Sequence, residues 1–495
     1  MRISILILLF FVFYGYSVFG QSVTQQQKDV AVFKKVLLAK ESRIDIHVPK
    51  DSVLSSFNNL NALFSKKQSA IEQFKYFGSA LSKIQCGHTQ IQPNKAIYKE
   101  WLGARNSLPI DYYFIGKRLV TNKIVTEDIP ALTEGKSKYQ LKKEVKPGTE
   151  IIAIDGKSIE TMMQEIGEFL SSDENAIDFK YFQSAQLFEF YRHISAPFDK
   201  DSIEVVFLDK KSDTSSIYFL TGTAPVHTIN KRLSKSEAQY SKNEANLGEF
   251  AIVNHKGFFR FRSFSMSVGS KYEAFLKRSF KKIKAKKINE LIIDLRGNTG
   301  GVMQYSFMRY IVGEDVEIGK YIVGKPKKGI ENSHIKKFNS GYYKHRAISK
   351  KQARLKRLGK FNNGIVKTKQ VDTSLIFHGN IIVITDEGTF SAAAILASNL
   401  KTLADAKIIG RMAGGSFYQG NAGTLLLKLP KSKLQLFVNP NSFYSQLEEV
   451  EDPLKIKEPE TYLHPLIIDY KKRDMYYLKQ GVKAFSLFEE RVLGY

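Results

Sequence analysis

Ser391 lies in a sequence context that suits a nucleophile. The small-residue turn over 388–393 follows the apolar run 381–384 and leads into a helix-like segment over 391–404. A strand-turn-helix connection of this kind brings a hydroxyl to a helix N-terminus, where free N–H groups favour negative charge. The N–H of Ala392 would then point at the oxyanion that forms when Ser391 attacks a carbonyl. The turn is therefore typical of a serine hydrolase.

A second turn, rich in glycine, predicts the other half of an oxyanion site. Residues 294–301 read Asp-Leu-Arg-Gly-Asn-Thr-Gly-Gly and follow the apolar run 291–293. Gly300 and Gly301 have no side chain, so the backbone can approach a substrate and donate a second N–H. The turn lacks the Gly-Lys-Ser/Thr ending of a phosphate-binding loop and the spacing of a dinucleotide fingerprint. Because both turns follow apolar strands, we expect them at the same edge of one sheet.

His88 is a candidate for the general base. An apolar stripe at helical spacing runs from Ile71 to Ile84 and stops at Cys86-Gly87-His88-Thr89, where Gly87 is predicted to end the helix. His88 would then lie in a turn, from which an imidazole can reach a site on another part of the chain. The alternative is a histidine that only satisfies its own turn. Cys86 is either a second nucleophile or, more commonly for a lone cysteine, a small buried residue.

Composition limits the class of protein. The chain has 495 residues, of which 43% are hydrophobic, and this length predicts two or three packed units. A single cysteine excludes an internal disulfide. Arg2 followed by the apolar run 3–14 predicts a signal peptide over 1–20, and hence export to the periplasm or the exterior. The alternative for this segment is an uncleaved membrane anchor.

The net charge of +26 is not evenly spread along the chain. Between Lys336 and Lys360 basic residues occur with aromatic residues and without any acidic residue. Such a stretch can bind an anionic surface or an acidic peptide through attraction that does not depend on sequence, or it can be a solvated insertion. No nucleic-acid module accompanies it, so a specific nucleic-acid partner is not expected.

Three units follow the predicted signal peptide. Residues 21–107 have a helical pattern, and residues 108–222 are β-rich, with a Pro-Gly turn, two short strands and an Asp-Gly turn over 145–159. Residues 223–495 alternate apolar strands with helices, which predicts a layered α/β core that ends in a helix over 470–495.

Together these motifs resemble the characteristic blocks of the tail-specific, or C-terminal processing, serine peptidases. The blocks that carry the resemblance are 294–301, 389–393, 409–410 with 414–415, 429–432 and 86–89. The β-rich unit resembles a PDZ domain, in which an extended peptide adds a strand to a sheet edge. The resemblance implies a crotonase-like layered α/β peptidase core with an inserted PDZ-like domain, with protein or peptide substrates and with Ser391 as nucleophile.

The resemblance also indicates the base. One branch of the family uses a lysine about two dozen residues after the serine, but residues 412–427 contain no lysine. The tricorn-like branch uses a histidine that precedes the PDZ-like unit and is oriented by a carboxylate late in the core. His88 matches that histidine, and Glu449 or Glu451 is the predicted carboxylate. The alternative for these acids is a solvated loop.

Two positions depart from the family pattern. Ala394 stands where many members have an acid three residues after the nucleophile, and Arg411 occupies a glycine-rich block where an acid is common. Arg411 is therefore expected to bring a cation to the cleft.

The sequence thus predicts an exported serine endopeptidase that forms an acyl-enzyme on Ser391. The catalytic residues would be Ser391, His88 and Glu449 or Glu451, with N–H groups of Gly300, Gly301 and Ala392 at the oxyanion. No His-Glu-x-x-His string or paired Cys/His spacing is present, so no metal or organic cofactor is expected. The alternative is a catalytically silent protein that binds a peptide or ligand on the same scaffold.

Overall fold

A computed structural model describes most of the chain after the predicted signal peptide. The described ranges, with short gaps inside them, are 22–103, 108–124, 145–220, 248–323, 335–338, 364–444 and 457–462. The predicted signal peptide, most of the basic stretch and the predicted helix over 470–495 lie outside the described residues.

Four helices and one short strand form the N-terminal part. They are α1 Val23–Lys40, α2 Lys50–Leu63, α3 Ala70–Ser82, β1 Ile91–Gln92 and α4 Lys95–Gly103. The first and third helices begin with capping boxes, in which Ser22 and Ser69 accept backbone N–H groups and the residue three positions later reaches back. The helical prediction is confirmed, but the third helix ends at Ser82, before Gly87. Gly87 is therefore not its C-terminal cap, and the prediction of that cap was wrong.

The β-rich part comes next. Its elements are β2 Ile110–Ile115, β3 Arg118–Ile124, β4 Glu150–Ile154, β5 Lys157–Ser158, α5 Ile159–Glu168, a 3-10 turn Asp173–Asn175, α6 Ile177–Gln186, α7 Phe188–Ser195, β6 Ser202–Leu208 and β7 Thr214–Leu220. The strands pair antiparallel in the order β2-β3-β4-β6-β7, and β5 pairs with β4. The helix α5 packs through Met162, Met163 and Ile166, which are buried as their spacing predicts.

The core contains a largely parallel sheet. Its elements are β8 Glu249–Val253, β9 Lys256–Arg260, α8 Gly269–Ala285, β10 Glu290–Asp294, α9 Gln304–Val312, β14 Asn380–Thr385, α10 Ala392–Ala404, β15 Lys407–Gly410 and β20 Thr461–Tyr462. The strand order is β20-β15-β14-β10-β9-β8, and only β8 runs antiparallel to its neighbour. The adjacent strands β10 and β14 are parallel, so their carboxyl ends lie side by side. This register brings together the two turns that the sequence singles out.

Two smaller antiparallel sheets complete the core. Their strands are β11 Glu317–Val323, β12 Ile335–Phe338, β13 Gly364–Lys367, β16 Gln419–Asn421, β17 Leu425–Lys428, β18 Gln435–Val438 and β19 Asn441–Tyr444. One sheet has the order β13-β11-β19-β16 and the other the order β1-β18-β17-β12. In the second sheet, Ile91 and Gln92 pair with Leu436 and Gln435. A strand that begins three residues after His88 is thus hydrogen-bonded to the peptidase core.

Burial joins the N-terminal helices to the rest of the fold. Apolar side chains of these helices, of the β-rich part and of the β17–β18 hairpin form one continuous cluster, in which Phe33, Phe77 and Leu436 are fully buried. A second cluster fills the space between the parallel sheet and the helices α8, α9 and α10. None of the described helices is long and apolar enough to cross a bilayer.

Asp29 in α1 should stabilise this arrangement. Its carboxylate is buried and accepts the backbone N–H groups of Lys431 and Ser432 at 2.8 and 2.5 Å. Replacing Asp29 by Ala leaves the N–H groups of Lys431 and of the buried Ser432 without this acceptor. We expect a loss of about 2 kcal/mol in the free energy of unfolding. Urea unfolding followed by circular dichroism measures this change. Gln27→Ala, on an exposed position of the same helix, is the control, and an equal effect of both changes would contradict the role of Asp29.

Candidate active site

The backbone at Ser391 is held in a strained conformation. Its φ and ψ are 55° and −122°, a region that residues with a side chain rarely occupy. The Oγ1 of Thr389 donates to the carbonyl of Leu295 at 2.9 Å, and the N–H of Phe390 donates to the carbonyl of Asn298 at 3.0 Å. These bonds fix the serine turn to the glycine-rich turn, with Ala392 as the first residue of α10.

Gly300 shows how closely the two turns approach. A Cβ on this residue would lie 2.7 Å from the Cβ of Ser391 and 2.9 Å from the N of Ala392. Its φ of +99° also favours glycine. The missing side chain at Gly300 therefore lets the two turns pack against each other, and the predicted approach to a substrate stays a prediction.

The N–H groups around Ser391 differ in their availability. The N–H of Gly300 donates to Oδ1 of Asn298 at 2.9 Å, so it is already occupied and does not suit the predicted oxyanion role. Among the described residues, no acceptor is recorded for the N–H of Gly301 or of Ala392. The backbone N–H groups of Gly301 and Ala392 therefore remain as candidate donors to the oxyanion.

His88 reaches Ser391 from the N-terminal part of the chain. Its Nε2 lies 2.8 Å from the Oγ of Ser391, a hydrogen-bonding distance. The imidazole lies against the ring of Phe390, with centroids 4.5 Å apart and the planes tilted by 30°. Phe390 in turn stacks on Phe179 at 4.3 Å. The structure thus brings together the two residues, 303 positions apart, that the sequence proposes as base and nucleophile.

The surroundings keep this imidazole neutral. Burial lowers the pKa of His88 from 6.5 to about 4, with Asp173 acting in the opposite direction and Arg43 in the same direction. If Ser391 donates its hydroxyl proton to Nε2, the other ring nitrogen carries the second proton. That nitrogen, Nδ1, is buried and has no hydrogen-bond partner among the described residues.

The carboxylates predicted to orient His88 cannot be placed. Glu449 and Glu451 both lie outside the described residues, and their role stays a prediction. Of the other expectations, Cys86 is buried, and burial raises the pKa of its thiol to about 11, which does not suit a nucleophile. The Arg411 guanidinium, expected at the cleft, pairs with Glu387 at 2.8 Å.

Asp173 is a carboxylate near the site that the sequence did not reveal. It lies in the 3-10 turn of the β-rich part and is fully buried. Its Oδ1 accepts the N–H of Gly87 at 2.9 Å, its Oδ2 accepts the N–H of Ser416 at 3.2 Å, and Arg43 lies 3.3 Å from Oδ1. Burial would raise the pKa of Asp173, but Arg43, His88 and the two N–H groups hold it below its usual value. In the sequence, Ser-Ser-Asp-Glu-Asn reads only as a polar loop.

A metal site at this position does not fit the surroundings. Cys86, His88 and Asp173 each offer one ligand atom, and these atoms lie within 4.8 Å of one another. However, the Asp173 carboxylate is already held by a buried guanidinium and two N–H groups. Burial keeps the thiol protonated, whereas metal ligation requires a thiolate. The cluster therefore suits an ion pair beside an imidazole better than a bound cation.

The fold and this site define a serine-type peptidase. Residues 255–425 match the sequence model of peptidase family S41. The resemblance to the tail-specific peptidases is thereby confirmed.

A solved structure of CPAF supports the fold of this chain. The structure of mature CPAF complexed with lactacystin matches 94% of this chain and 98% of its own, with 12% sequence identity and a TM-score of 0.59. A photosystem II D1 C-terminal processing protease matches 90% of this chain and 94% of its own, with 14% identity and a TM-score of 0.40. A comparison with curated proteins finds no match.

Gly87 provides a test of the packing that holds His88. A Cβ on Gly87 would lie 2.8 Å from two ring atoms of Phe390 and 3.2 Å from the N of Asp173. Gly87→Ala must therefore displace the Phe390 ring that lies against the imidazole. We expect stability to fall by about 1–3 kcal/mol and turnover by about 100-fold, because catalysis is sensitive to shifts of about 1 Å.

The assay is hydrolysis of a fluorescent unfolded protein, with thermal unfolding measured in parallel. Gly167→Ala is the matched control, since its Cβ would meet nothing closer than 3.8 Å. If Gly87→Ala retained wild-type turnover, the Phe390 ring would not position His88.

Proposed function

We propose that this chain is an exported serine endopeptidase that hydrolyses peptide bonds through an acyl-enzyme on Ser391. The contact of 2.8 Å between the Oγ of Ser391 and the Nε2 of His88 carries the proposal. The strained serine turn and the N–H of Ala392, which has no acceptor among the described residues, support it. A nucleophile needs both an adjacent base and a stabilised oxyanion.

The reaction would proceed in two stages. His88 takes the hydroxyl proton while the Oγ of Ser391 forms a bond to the scissile carbonyl carbon. The N–H groups of Gly301 and Ala392 then hold the oxyanion. His88 gives its proton to the leaving amine, which breaks the C–N bond and leaves an ester on Ser391. A water molecule that loses its proton to His88 attacks this ester. His88 then gives that proton to the Oγ of Ser391 as the ester C–O bond breaks, which releases the acid product and restores the hydroxyl.

Burial of the imidazole suits this cycle at neutral pH. A base must be unprotonated to accept the proton of Ser391, and His88 with a pKa of about 4 is almost wholly neutral at pH 7. The positive charge that His88 gains during the reaction needs a compensating carboxylate. Glu449 or Glu451 is proposed for the partner of Nδ1.

The proposal also concerns the architecture of the core and of the β-rich part. We propose that the core has the crotonase-like layering and that the β-rich part is a PDZ-like domain, which would receive an extended peptide as an added strand. The strand order β2-β3-β4-β6-β7, with β2 and β7 at its edges, offers such positions. Export to the periplasm or the exterior, and attraction of an acidic peptide or anionic surface to the stretch 336–360, belong to the same proposal.

Covalent labelling tests the nucleophile directly. A serine-directed fluorophosphonate should modify the wild-type protein at Ser391, identified by mass spectrometry of the digested protein. Labelling and hydrolysis of a fluorescent unfolded protein should both disappear in Ser391→Ala, while His88→Ala should reduce hydrolysis by about 100-fold or more. Ser398→Ala, a buried serine on the same helix, is the control and should keep both signals. A folded wild-type protein that is neither labelled nor active would indicate the catalytically silent alternative.

The pH dependence of hydrolysis tests the identity of the base. Because burial lowers the pKa of His88 from 6.5 to about 4, the neutral imidazole persists as the pH falls below 6.5. We therefore expect kcat/KM to change little between neutrality and about pH 5, and to fall by half near pH 4. Far-UV circular dichroism over the same range separates this loss from acid unfolding. A midpoint near 6.5 in the folded protein would show that the imidazole is not buried during catalysis.

A further inference from the structure

The turn that contains Asp173 is built at a conformational cost. The two residues that follow it, Glu174 and Asn175, both have positive φ, at 52° and 54°. A residue with a side chain in this region costs about 1 kcal/mol or more, and such strain persists only where the surroundings enforce it. Here the N–H of Glu174 donates to the carbonyl of Gln85, which also has a positive φ of 55°. Two strained turns, one before His88 and one after Asp173, are thus bound to each other.

The carboxylate of Asp173 connects the base to the nucleophile through the backbone. On one side it accepts the N–H of Gly87, the residue before His88. On the other side it accepts the N–H of Ser416, whose neighbour Gly415 donates to the carbonyl of Thr389 in the serine turn. One side chain therefore spans the gap between the turn that holds the imidazole and the segment that lies against the nucleophile.

Charge provides a second reason to assign Asp173 to the site. A carboxylate oxygen of Asp173 lies within 4.8 Å of a ring nitrogen of His88, and its attraction for the imidazolium exceeds the repulsion by Arg43. The other titratable groups of this buried cluster, which face Arg43 and its neighbours, are Glu41, His47, Cys86, Glu174 and Lys457. Glu174 and Lys457 pair with each other at 2.7 Å. Among the described residues, Asp173 is the carboxylate whose charge acts on His88.

We propose that Asp173 is a positioning residue for the catalytic pair: it fixes the turn of His88 against the core and balances the charge that the imidazole gains from Ser391. This inference rests on the function proposed above. Asp173 would act beside a carboxylate at Nδ1, because it makes no hydrogen bond to the ring and works through its charge and through two backbone N–H groups.

Asp173→Asn removes the charge and retains the shape of the side chain. The imidazolium loses its neighbouring anion while Arg43 remains, so the midpoint of the acidic limb should move down by about one pH unit. The rate of labelling of Ser391 by the fluorophosphonate at neutral pH should fall about tenfold. Labelling needs no knowledge of the natural substrate, and a midpoint does not depend on the fraction of folded protein. Asp178→Asn is the matched control, since its side chain is 61% exposed and makes the same change in charge.

Asp173→Asn leaves the buried Arg43 without its ion-pair partner, which could prevent folding. A second variant is designed for that case. Arg43→Met/Asp173→Asn removes both charges of the buried pair, which is better tolerated than the loss of one. Because Asp173 affects His88 more than Arg43 does, the midpoint should still move down, but by less than in the single variant.

The outcomes distinguish this inference from the proposed function. A wild-type protein that is labelled on Ser391, together with Asp173 variants that keep its midpoint and rate, overturns the role of Asp173 alone. A wild-type protein that is not labelled overturns the proposed function and with it the inference. Graded downward shifts in the two Asp173 variants, with none in Asp178→Asn, support the inference, since a merely structural role would lower the rate without moving the midpoint.

Discussion

The hydrogen bond between His88 and Ser391 is the interaction on which the site depends, and much of the fold can be understood as its support. The two residues are separated by 303 positions in the chain. Their approach to 2.8 Å involves a strained serine turn, a second strained turn before the histidine, and the Phe390 ring that lies against the imidazole. Each strained turn alone is unfavourable. Together they persist because two large apolar clusters and the pairing of β1 with β18 over-determine the positions of the turns.

Burial, Asp173 and Arg43 have different electrostatic effects within this buried cluster. Desolvation keeps the imidazole neutral and so able to accept a proton, while a carboxylate close by reduces the penalty once the proton has moved. A buried guanidinium beside that carboxylate prevents it from taking the proton itself, since Arg43 holds the pKa of Asp173 below its usual value despite burial. The fully buried charges of the cluster thus form pairs, as is usual where water is excluded. The same arrangement explains why three potential metal ligands at one place do not form a cation site.

The sequence predicted the parts of this site that depend on local pattern. Apolar runs followed by small residues indicated the turns at Gly300 and Ser391, and the absence of lysine over 412–427 directed attention to His88. It could not reveal Asp173, because a carboxylate in a polar loop looks the same whether it is solvated or buried against a guanidinium from residue 43. Gly87 was misjudged for a similar reason. Its sequence position is typical of a helix end, whereas its small size is needed for the approach of Phe390, a contact over three hundred residues away in the chain. Which residues pack together at this separation depends on the topology of the fold, and the periodicity of apolar residues in the sequence does not specify that topology.

The pairing of β1 with β18 has a consequence for how the protein is made. Contacts between residues so distant in sequence form late and slowly. The chain loses the entropy of closing a long loop before these contacts stabilise it. During synthesis the segment with His88 emerges first. The strand β1 that follows it has no partner until the β17–β18 hairpin has been made. The nucleophile and its base therefore meet only after nearly the whole core has folded. Under the proposed function, a partly synthesised or misfolded chain would hold Ser391 and His88 apart, and hydrolysis would begin only once folding is complete.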